Sequence, residues 1–268
     1  IDPRLDLSRA DEIVAVVGEC TGIALHPRHP WLGELVYTAF SGSHQDAIRK
    51  SLKRQRPEGP WEVAYLPIDP ADIGRDYQAV IRVNSQSGKG GVAFVMERDH
   101  GLSLPRWMQV ELAQAVQAET ERLGGEADSA GIMRIFADNF LAGEGDRRLL
   151  GYRLSRNGHD QIEARVATLD GERILRGSGQ GAIAAFLEAW HRTFGETVRV
   201  IDYQEHARGE GTDAEAAAYC LIGIESAGVS RRVAGAAIDQ DAVGAALKAV
   251  VAAINRSRAG IAERAEAA

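Results

Sequence analysis

The sequence predicts an α+β protein in which small helical and extended linker subdomains precede a two-fold βββα domain. Three observations indicate this fold class. Strand-like apolar segments occur in two groups of three in the C-terminal half, and an Ala-rich apolar helix follows each group. In the N-terminal half, capped helical segments alternate with proline-containing extended ones. Three strands and one helix cannot close a core alone, so the two units are expected to pack together as one layered domain.

The length, net charge, apolar runs and cysteines of the chain indicate which classes of protein it can belong to. Its 268 residues are enough for two or three compact units. The net charge of −7 argues against nucleic acid, whose partners display a basic face, and no apolar run is long enough for a membrane span. Cys20 and Cys220 lie far apart and outside any CxxC pair, so neither a disulfide framework nor a zinc knuckle is encoded. A reducing cytoplasm fits this pattern.

The N-terminal half begins with features of a chain cut from a longer one, because residues 1–3 lack an initiator methionine and any signal-peptide pattern. Residues 7–20 predict a capped helix that ends near residues 18–22. Prolines exclude regular helix over residues 26–30, so the HxxH spacing of His26 and His29 is interpreted as structural or as a contact to another domain. Ser41 or Ser43 is the predicted N-cap of a helix that reaches residue 52.

A polar glycine-rich stretch, residues 84–91, follows a segment (76–83) that fits either helix or strand. Exposed N–H groups of such a loop bind phosphate where they lead into a helix, so contact with coenzyme A is one hypothesis and a plain structural loop is the other. Residues 50–60 predict a mobile connection, and residues 61–70 predict an extended segment that stops at two prolines. Helices are predicted over residues 104–122, with Pro105 in the first turn, and over residues 129–141.

The C-terminal half predicts the two βββα units in order. Strands over residues 150–155, 161–169 and 173–175, with turns at Asn157-Gly158 and Asp170-Gly171, lead through the glycine-rich residues 177–181 into a helix over 182–194. Strands over residues 197–206, 216–226 and 231–238 precede a second helix over 241–256. Residues 259–268 are expected to be a frayed tail.

Several long motifs in this order resemble the α-isopropylmalate synthase family. They include SGSHQDAI at residues 41–48, YLPIDP at 65–70 and RVNSQSGKGG at 82–91. The resemblance continues over nearly the whole chain, in residues 26–30, 33–40, 99–105, 177–186, 202–203 and 205–207. It implies five regions: 1–25, the end of a catalytic barrel domain; 26–92, linker subdomain I; 93–145, linker subdomain II; 146–258, a leucine-binding regulatory domain; and 259–268, a tail. The N-terminal TIM barrel of the family is expected to be absent.

The resemblance also implies an activity, which is the condensation of acetyl-CoA with 2-oxoisovalerate to 2-isopropylmalate, the committed step of leucine biosynthesis. The family holds a divalent metal (Mg²⁺, Mn²⁺ or Zn²⁺) in its barrel, so no metal ligand and no activity of this chain alone are expected. The family's linker catalytic residues match His44 and Tyr65. Imidazole suits the task because its pKa lies near neutrality. Without the resemblance, His44 is a capping or loop residue and Tyr65 a packing residue.

The resemblance further implies a homodimer and L-leucine as a feedback effector. Matching effector positions are Gly179, Gly181, Ile183, Ala184, Val200, Tyr203, Ala207, Ala214 and Ile238. Small apolar side chains leave room for an isobutyl group, while helix N-termini offer N–H groups to a carboxylate. The alternative interpretation is that these residues only fill the core. Two other functions stay open: a stand-alone amino-acid-binding regulatory module, and the C-terminal region of a citramalate synthase with isoleucine as effector.

Overall fold

A computed structural model describes residues 6–33, 35–39, 41–56, 59–75, 89–123, 127–141, 145–209, 211, 213–226 and 229–266. The chain forms two compact units. The first consists of Ile1–His100 and Gln109–Ile132, and the second of Gly101–Met108 and Met133–Ala268. The division falls inside the predicted linker subdomain II, because residues 101–108 and the end of that region belong to the second unit. The five predicted region boundaries stay predictions.

The helices of the N-terminal half follow the capping signals of the sequence. They are α1 (Ala10–Thr21), α2 (Gly42–Arg54), α3 (Lys89–His100), α4 (Arg106–Leu123) and α5 (Ser129–Phe140), with a short 3₁₀ helix at Pro70–Ile73. Gly22 ends α1 in the left-handed conformation, and its N–H donates to Gly18 O. Ser41 is the N-cap of α2 as predicted, but its hydroxyl pairs with that of Ser43 at 2.9 Å instead of capping the helix.

The first unit is organised around a small apolar cluster and one arginine. Tyr37, Ile48, Leu66 and Ile73 are buried together in this cluster. The Arg75 guanidinium ties α1 to the loop after it, because it donates to both Asp11 oxygens and to the carbonyls of residues 32 and 33. An arginine fork that satisfies a carboxylate and two carbonyls fixes geometry more strongly than a surface ion pair does.

The second unit confirms the two βββα repeats. Its elements are β1 (Arg148–Asn157), β2 (His159–Thr168), β3 (Gly171–Gly179), α6 (Ala182–Phe194), β4 (Thr197–Arg208), β5 (Glu215–Ser226), β6 (Val229–Asp239) and α7 (Ala242–Glu266). Each sheet is antiparallel with strand order β1-β2-β3 or β4-β5-β6. Gly158 and Gly171 adopt positive φ angles of 79° and 115° at the predicted turns.

The two repeats correspond residue by residue at two places, the bulge in the first strand and the residue before the helix. The first strand of each carries a bulge, between Leu149 and Gly151 in β1 and between Val200 and Asp202 in β4. Tyr152 and Tyr203 therefore occupy equivalent positions just after the bulge. Likewise, Gly181 precedes α6 and Asp241 precedes α7.

Both repeats share one core, as the layered-domain prediction requires. Helix α6 packs on β3 and β2, and α7 packs on β6 and β5. Each helix also contacts the first strand of the other repeat, α6 reaching β4 and α7 reaching β1. Residues such as Trp190, Cys220 and Val250 belong to the same buried cluster. Neither repeat buries its apolar surface without the other.

Three sequence predictions need correction. Residues 89–91 of the predicted glycine-rich loop are the first turn of α3, while residues 76–88 lie outside the described residues. Residues 177–179, predicted to lie between strand and helix, continue β3, because they pair with residues 160–162 of β2. A Cβ at Gly177 would lie 2.4 Å from the Ala185 carbonyl oxygen of α6. These glycines let the helix approach the strand. Finally, α7 continues to Glu266, through most of the predicted frayed tail.

Candidate functional site

The two residues predicted as catalytic meet in the first unit. His44 lies in the first turn of α2, and Tyr65 lies in the segment after residue 61. Their rings stack with centroids 4.0 Å apart and planes 27° apart. Both side chains are exposed, Tyr65 at 60%. The pair therefore presents an imidazole and a phenol together to solvent.

Buried neighbours hold each ring in this outward position. Gln45, next to His44, is fully buried and donates from Nε2 to Ala39 O at 2.8 Å. Leu66, next to Tyr65, is buried, and its carbonyl accepts the Trp61 indole N–H at 2.9 Å. Each exposed ring thus lies directly beside a buried residue of its own segment.

The backbone at Tyr65 is unusual, with φ at 63°. A bulky residue rarely adopts this left-handed region, and such conformations typically cost about 1–3 kcal/mol and cluster at functional sites. The fold therefore keeps a strained tyrosine on its surface against His44. Packing alone would not require this arrangement, because the Tyr65 side chain is mostly exposed.

The candidate effector positions lie in the second unit, around the start of α6 and along β4. Ile183, Val200 and Tyr203 are half-buried and pack against the shared core. Ala184 and Ala207 are exposed, and Ala214 is half-buried. Ile238 lines a cavity of about 310 Å³ together with Leu149, Arg148 and Lys248, and the other candidate positions do not line it. Three candidates of α6 and β4, Ile183, Val200 and Tyr203, thus pack against the same core, whereas Ile238 lines a cavity that none of the other candidates lines.

The two glycines of the candidate pocket differ in what surrounds them. A Cβ at Gly179 would lie 2.6 Å from the Ala185 backbone nitrogen, so glycine is required there for close packing of α6 on β3. Gly181 has a φ of 99° and faces open space, since a Cβ would meet no atom within 4 Å. The N-terminus of α6 is therefore uncovered at Gly181.

The corresponding place in the second repeat is filled by the protein's own carboxylates. Asp241 accepts the hydroxyl of Tyr152 and the N–H of Val243. Asp239 accepts the N–H of Asp241 and pairs with Lys248. Gly179 and Gly181 stand where Asp239 and Asp241 stand relative to their helices. Aligning the two repeats on their helix starts pairs Asp241 with Gly181 already in the sequence. The correspondence of Tyr152 with Tyr203 appears only from the bulges in β1 and β4.

Tyr203 is the counterpart of Tyr152, and its hydroxyl donates to Glu205 Oε2 at 2.5 Å. Burial, with help from the hydrogen bond to Glu205 and the charge of that carboxylate, raises the pKa of Tyr203 above its ordinary value. The phenol thus remains a hydrogen-bond donor at physiological pH. A donor beside an uncovered helix N-terminus suits a carboxylate ligand.

Metal-binding clusters and membrane spans are not found among the described residues. Within them, no group of three or more His, Cys, Asp or Glu side chains is arranged to hold a metal ion, and no helix has the length and apolar character of a membrane span. His26 accepts the Arg28 N–H in a tight turn, and the structural interpretation of this residue stays a prediction.

Comparison with known proteins matches two regions of the chain to models of one family. Residues 34–97 match the family model described as alpha-isopropylmalate synthase, post-catalytic domain-like, and residues 126–258 match that of the LeuA allosteric (dimerisation) domain. Over 96% of its length, the chain is 48% identical to the 2-isopropylmalate synthase of Pseudomonas fluorescens (strain Pf-5) and 49% identical to that of Pseudomonas putida (strain GB-1). It spans 45% of the length of each of these relatives. The chain belongs to the α-isopropylmalate synthase family.

Proposed function

We propose that this chain acts as part of a 2-isopropylmalate synthase, an acyltransferase that joins acetyl-CoA, 2-oxoisovalerate and water to give 2-isopropylmalate and CoA. The names of the relatives support the reaction, and the stacked His44–Tyr65 pair is the observation in this chain that supports it most directly. The pair lies in the region that matches the post-catalytic family model. Because both rings are exposed, they are available to a substrate held by another region of the protein.

The chemistry assigns these two side chains to proton transfer. The acetyl methyl must lose a proton before its carbon attacks the ketone, the resulting alkoxide must gain one, and water must then cleave the thioester. An imidazole changes charge near neutral pH and so exchanges protons efficiently at working pH. The Tyr65 hydroxyl, in contact with that ring, orients the proton donor or the water. The divalent metal of the reaction belongs to residues outside this chain, and no step is assigned to it here.

The same proposal gives the second unit a regulatory role, in which it binds L-leucine as a feedback effector. The support is the contrast between the repeats: Gly181 leaves open the place that the Asp241 carboxylate fills in the other repeat. The leucine carboxylate takes that place, accepting N–H groups of α6 and the Tyr203 hydroxyl. Glu205, released from Tyr203, then accepts the leucine ammonium group, and Ile183 and Val200 contact the isobutyl group.

Two alternative functions differ from this proposal in the effector or in the partner of the chain. A citramalate synthase region would respond to isoleucine, and a stand-alone regulatory module would bind an amino acid without joining a catalytic barrel. A homodimer is proposed because residues 126–258 match a dimerisation domain model. The cytoplasm is the proposed compartment.

Titration calorimetry on the chain, with L-leucine, L-isoleucine and L-lysine in turn, tests the effector assignment. We expect leucine to bind and lysine to give no heat. Stronger binding of isoleucine would favour the citramalate alternative, and the absence of heat with millimolar leucine would contradict the effector role. For the catalytic role, turnover of the complete enzyme with and without His44→Ala is decisive.

A further inference from the structure

Residues 101–107, which we call the clamp segment, run antiparallel to β4 within the second unit. A Cβ at Gly101 would lie 3.4 Å from Arg208 Cγ. The Ser103 N–H donates to His206 Nε2 at 3.1 Å, and the Trp107 indole donates to Asp202 Oδ2 at 3.0 Å. The three pairs are Gly101 with Arg208, Ser103 with His206, and Trp107 with Asp202. Residue numbers therefore rise along the segment while they fall along β4, as in an antiparallel arrangement. The clamp segment thus follows the strand for most of its length.

The contacts of the clamp segment fall on one face of β4, and the candidate effector positions fall on the other. Side chains alternate between the faces of a strand, so Asp202, His206 and Arg208 share a face after the bulge. Tyr203 and Ala207 share the opposite face, on which Tyr203 packs against the core and Ala207 is exposed. A ligand at the effector pocket and the clamp segment would therefore contact the same strand from its two sides.

His206 joins the clamp segment to β4 through its ring. The Ser103 N–H donates to Nε2, and the Tyr219 hydroxyl lies 3.0 Å from the same nitrogen, so these two groups share its single lone pair. The other ring nitrogen, Nδ1, lies 3.0 Å from the carbonyl oxygen of Ala207. A ring with its proton on Nδ1 donates to that oxygen and accepts at Nε2. The backbone of a candidate effector position is thus joined through one ring to the backbone of Ser103.

Among the described strands of its sheet, β4 pairs with one only, which leaves its other edge without a strand neighbour. It is an edge strand, since β5 is its neighbour in the sheet and β6 lies beyond β5. The clamp segment itself connects α3 to α4, and the chain on both sides of residues 101–108 belongs to the first unit. A displacement of β4 would act on a segment whose two ends lead directly into those helices.

We propose that β4 transmits effector binding to the clamp segment through Asp202 and His206. This inference rests on the proposed binding of leucine at Tyr203 and Gly181. Leucine at that face fixes β4 in the position that best holds Ser103 and Trp107, and the four residues act as positioning residues for this response. Because coupling between two sites is reciprocal, weakening the clamp must also weaken leucine binding.

Amide hydrogen exchange of the chain, measured with and without saturating L-leucine and paired with calorimetry, tests the proposal. We expect leucine to slow exchange of the amides of residues 101–108 by about fivefold or more, as typical coupling energies imply. Trp107→Phe, which removes the indole N–H, should abolish this slowing and raise the Kd for leucine. Asp202→Asn, which keeps an acceptor oxygen, is a milder second variant in case Trp107→Phe fails to fold. Trp61→Phe is the matched control, because its indole donates to Leu66 in the first unit.

The outcomes separate this inference from the function on which it rests. If calorimetry of the wild type shows that leucine binds but amide exchange of residues 101–108 is not slowed, the proposed transmission through β4 is wrong and the effector role is unaffected. Slower exchange that persists unchanged in both clamp variants would also overturn it. No leucine heat at all would overturn both proposals.

Discussion

The imidazole of His44 stacks on the phenol of Tyr65 at a centroid distance of 4.0 Å. The two residues come from different segments, a helix start and a turn at residues 64–65. Tyr65 is held at a φ of 63° in this contact. The proposed catalytic role of this pair is open to direct test.

His44→Ala in the complete enzyme is expected to lower kcat by roughly 10²- to 10⁴-fold, the range for loss of a general acid or base. Tyr65→Phe should reduce kcat less, because it keeps the stacked ring and removes only the hydroxyl. Steady-state kinetics of both variants measure this. His29→Ala, another exposed histidine of the first unit, is the control and should leave kcat unchanged. Wild-type turnover in His44→Ala would remove the catalytic assignment.

Tyr203→Phe should weaken leucine binding about tenfold or more, because a hydrogen bond to a charged group is lost. The fold should survive, since the ring still packs against the core. Tyr152→Phe is the matched control in the other repeat, where the hydroxyl serves Asp241. It should lower the free energy of unfolding without changing leucine affinity. Calorimetry and urea unfolding of both variants measure these effects, and equal losses of affinity would contradict the distinction between the repeats.

Gly181→Asp should abolish leucine binding, because its carboxylate would occupy the place proposed for the ligand, as Asp241 does in the other repeat. The backbone at Gly181, with φ at 99°, makes any side chain strained, so a loss of stability of about 1–3 kcal/mol is also expected. Gly158→Asp is the matched control, since it has φ at 79° and open space in a turn between β1 and β2. That variant should be destabilised and still bind leucine. Retained binding in Gly181→Asp would contradict the pocket.

Glu196→Gln should lower the free energy of unfolding by roughly 2–4 kcal/mol at neutral pH. Its carboxylate accepts from Arg147 at 2.6 Å, Arg258 at 2.9 Å and the Trp190 indole at 3.0 Å. Burial by itself would raise the pKa of Glu196, but these hydrogen bonds and charges outweigh it and lower the pKa below the ordinary 4.5.

The sign of the pH dependence at Glu196 follows from that lowered pKa. A carboxylate with a lowered folded-state pKa stabilises the protein above its unfolded pKa, and this contribution is lost as the pH falls through the folded value. The stability difference between the wild type and Glu196→Gln should therefore be constant near neutral pH and shrink in acid below about pH 4.5. Urea unfolding at neutral and acid pH measures it. A difference that grows on acidification would refute the assignment.

Local sequence patterns were enough to predict the order and type of the elements. The helix over residues 182–194 is observed with the predicted bounds, and both repeats appear as predicted, because apolar periodicity and turn residues act over a few neighbouring positions. Errors occurred where contacts with other elements decided the local outcome. Residues 177–179 extend β3 because they pair with β2, and glycine there allows α6 to pack closely on the strand, which the local pattern does not reveal.

The sequence by itself determined the family, the two-fold repeat and the identity of His44, Tyr65 and the glycines before α6. Only the tertiary structure decided that the two aromatic rings stack, that Asp241 fills in one repeat what Gly181 leaves open in the other, and that residues 101–107 follow β4. The physical reason is the distance along the sequence over which each kind of interaction acts. Propensity and capping depend on residues a few positions apart. The stacked rings instead join two segments of the first unit, and the contacts of Tyr152 with Asp241 and of Ser103 with His206 join segments far apart in sequence within the second unit.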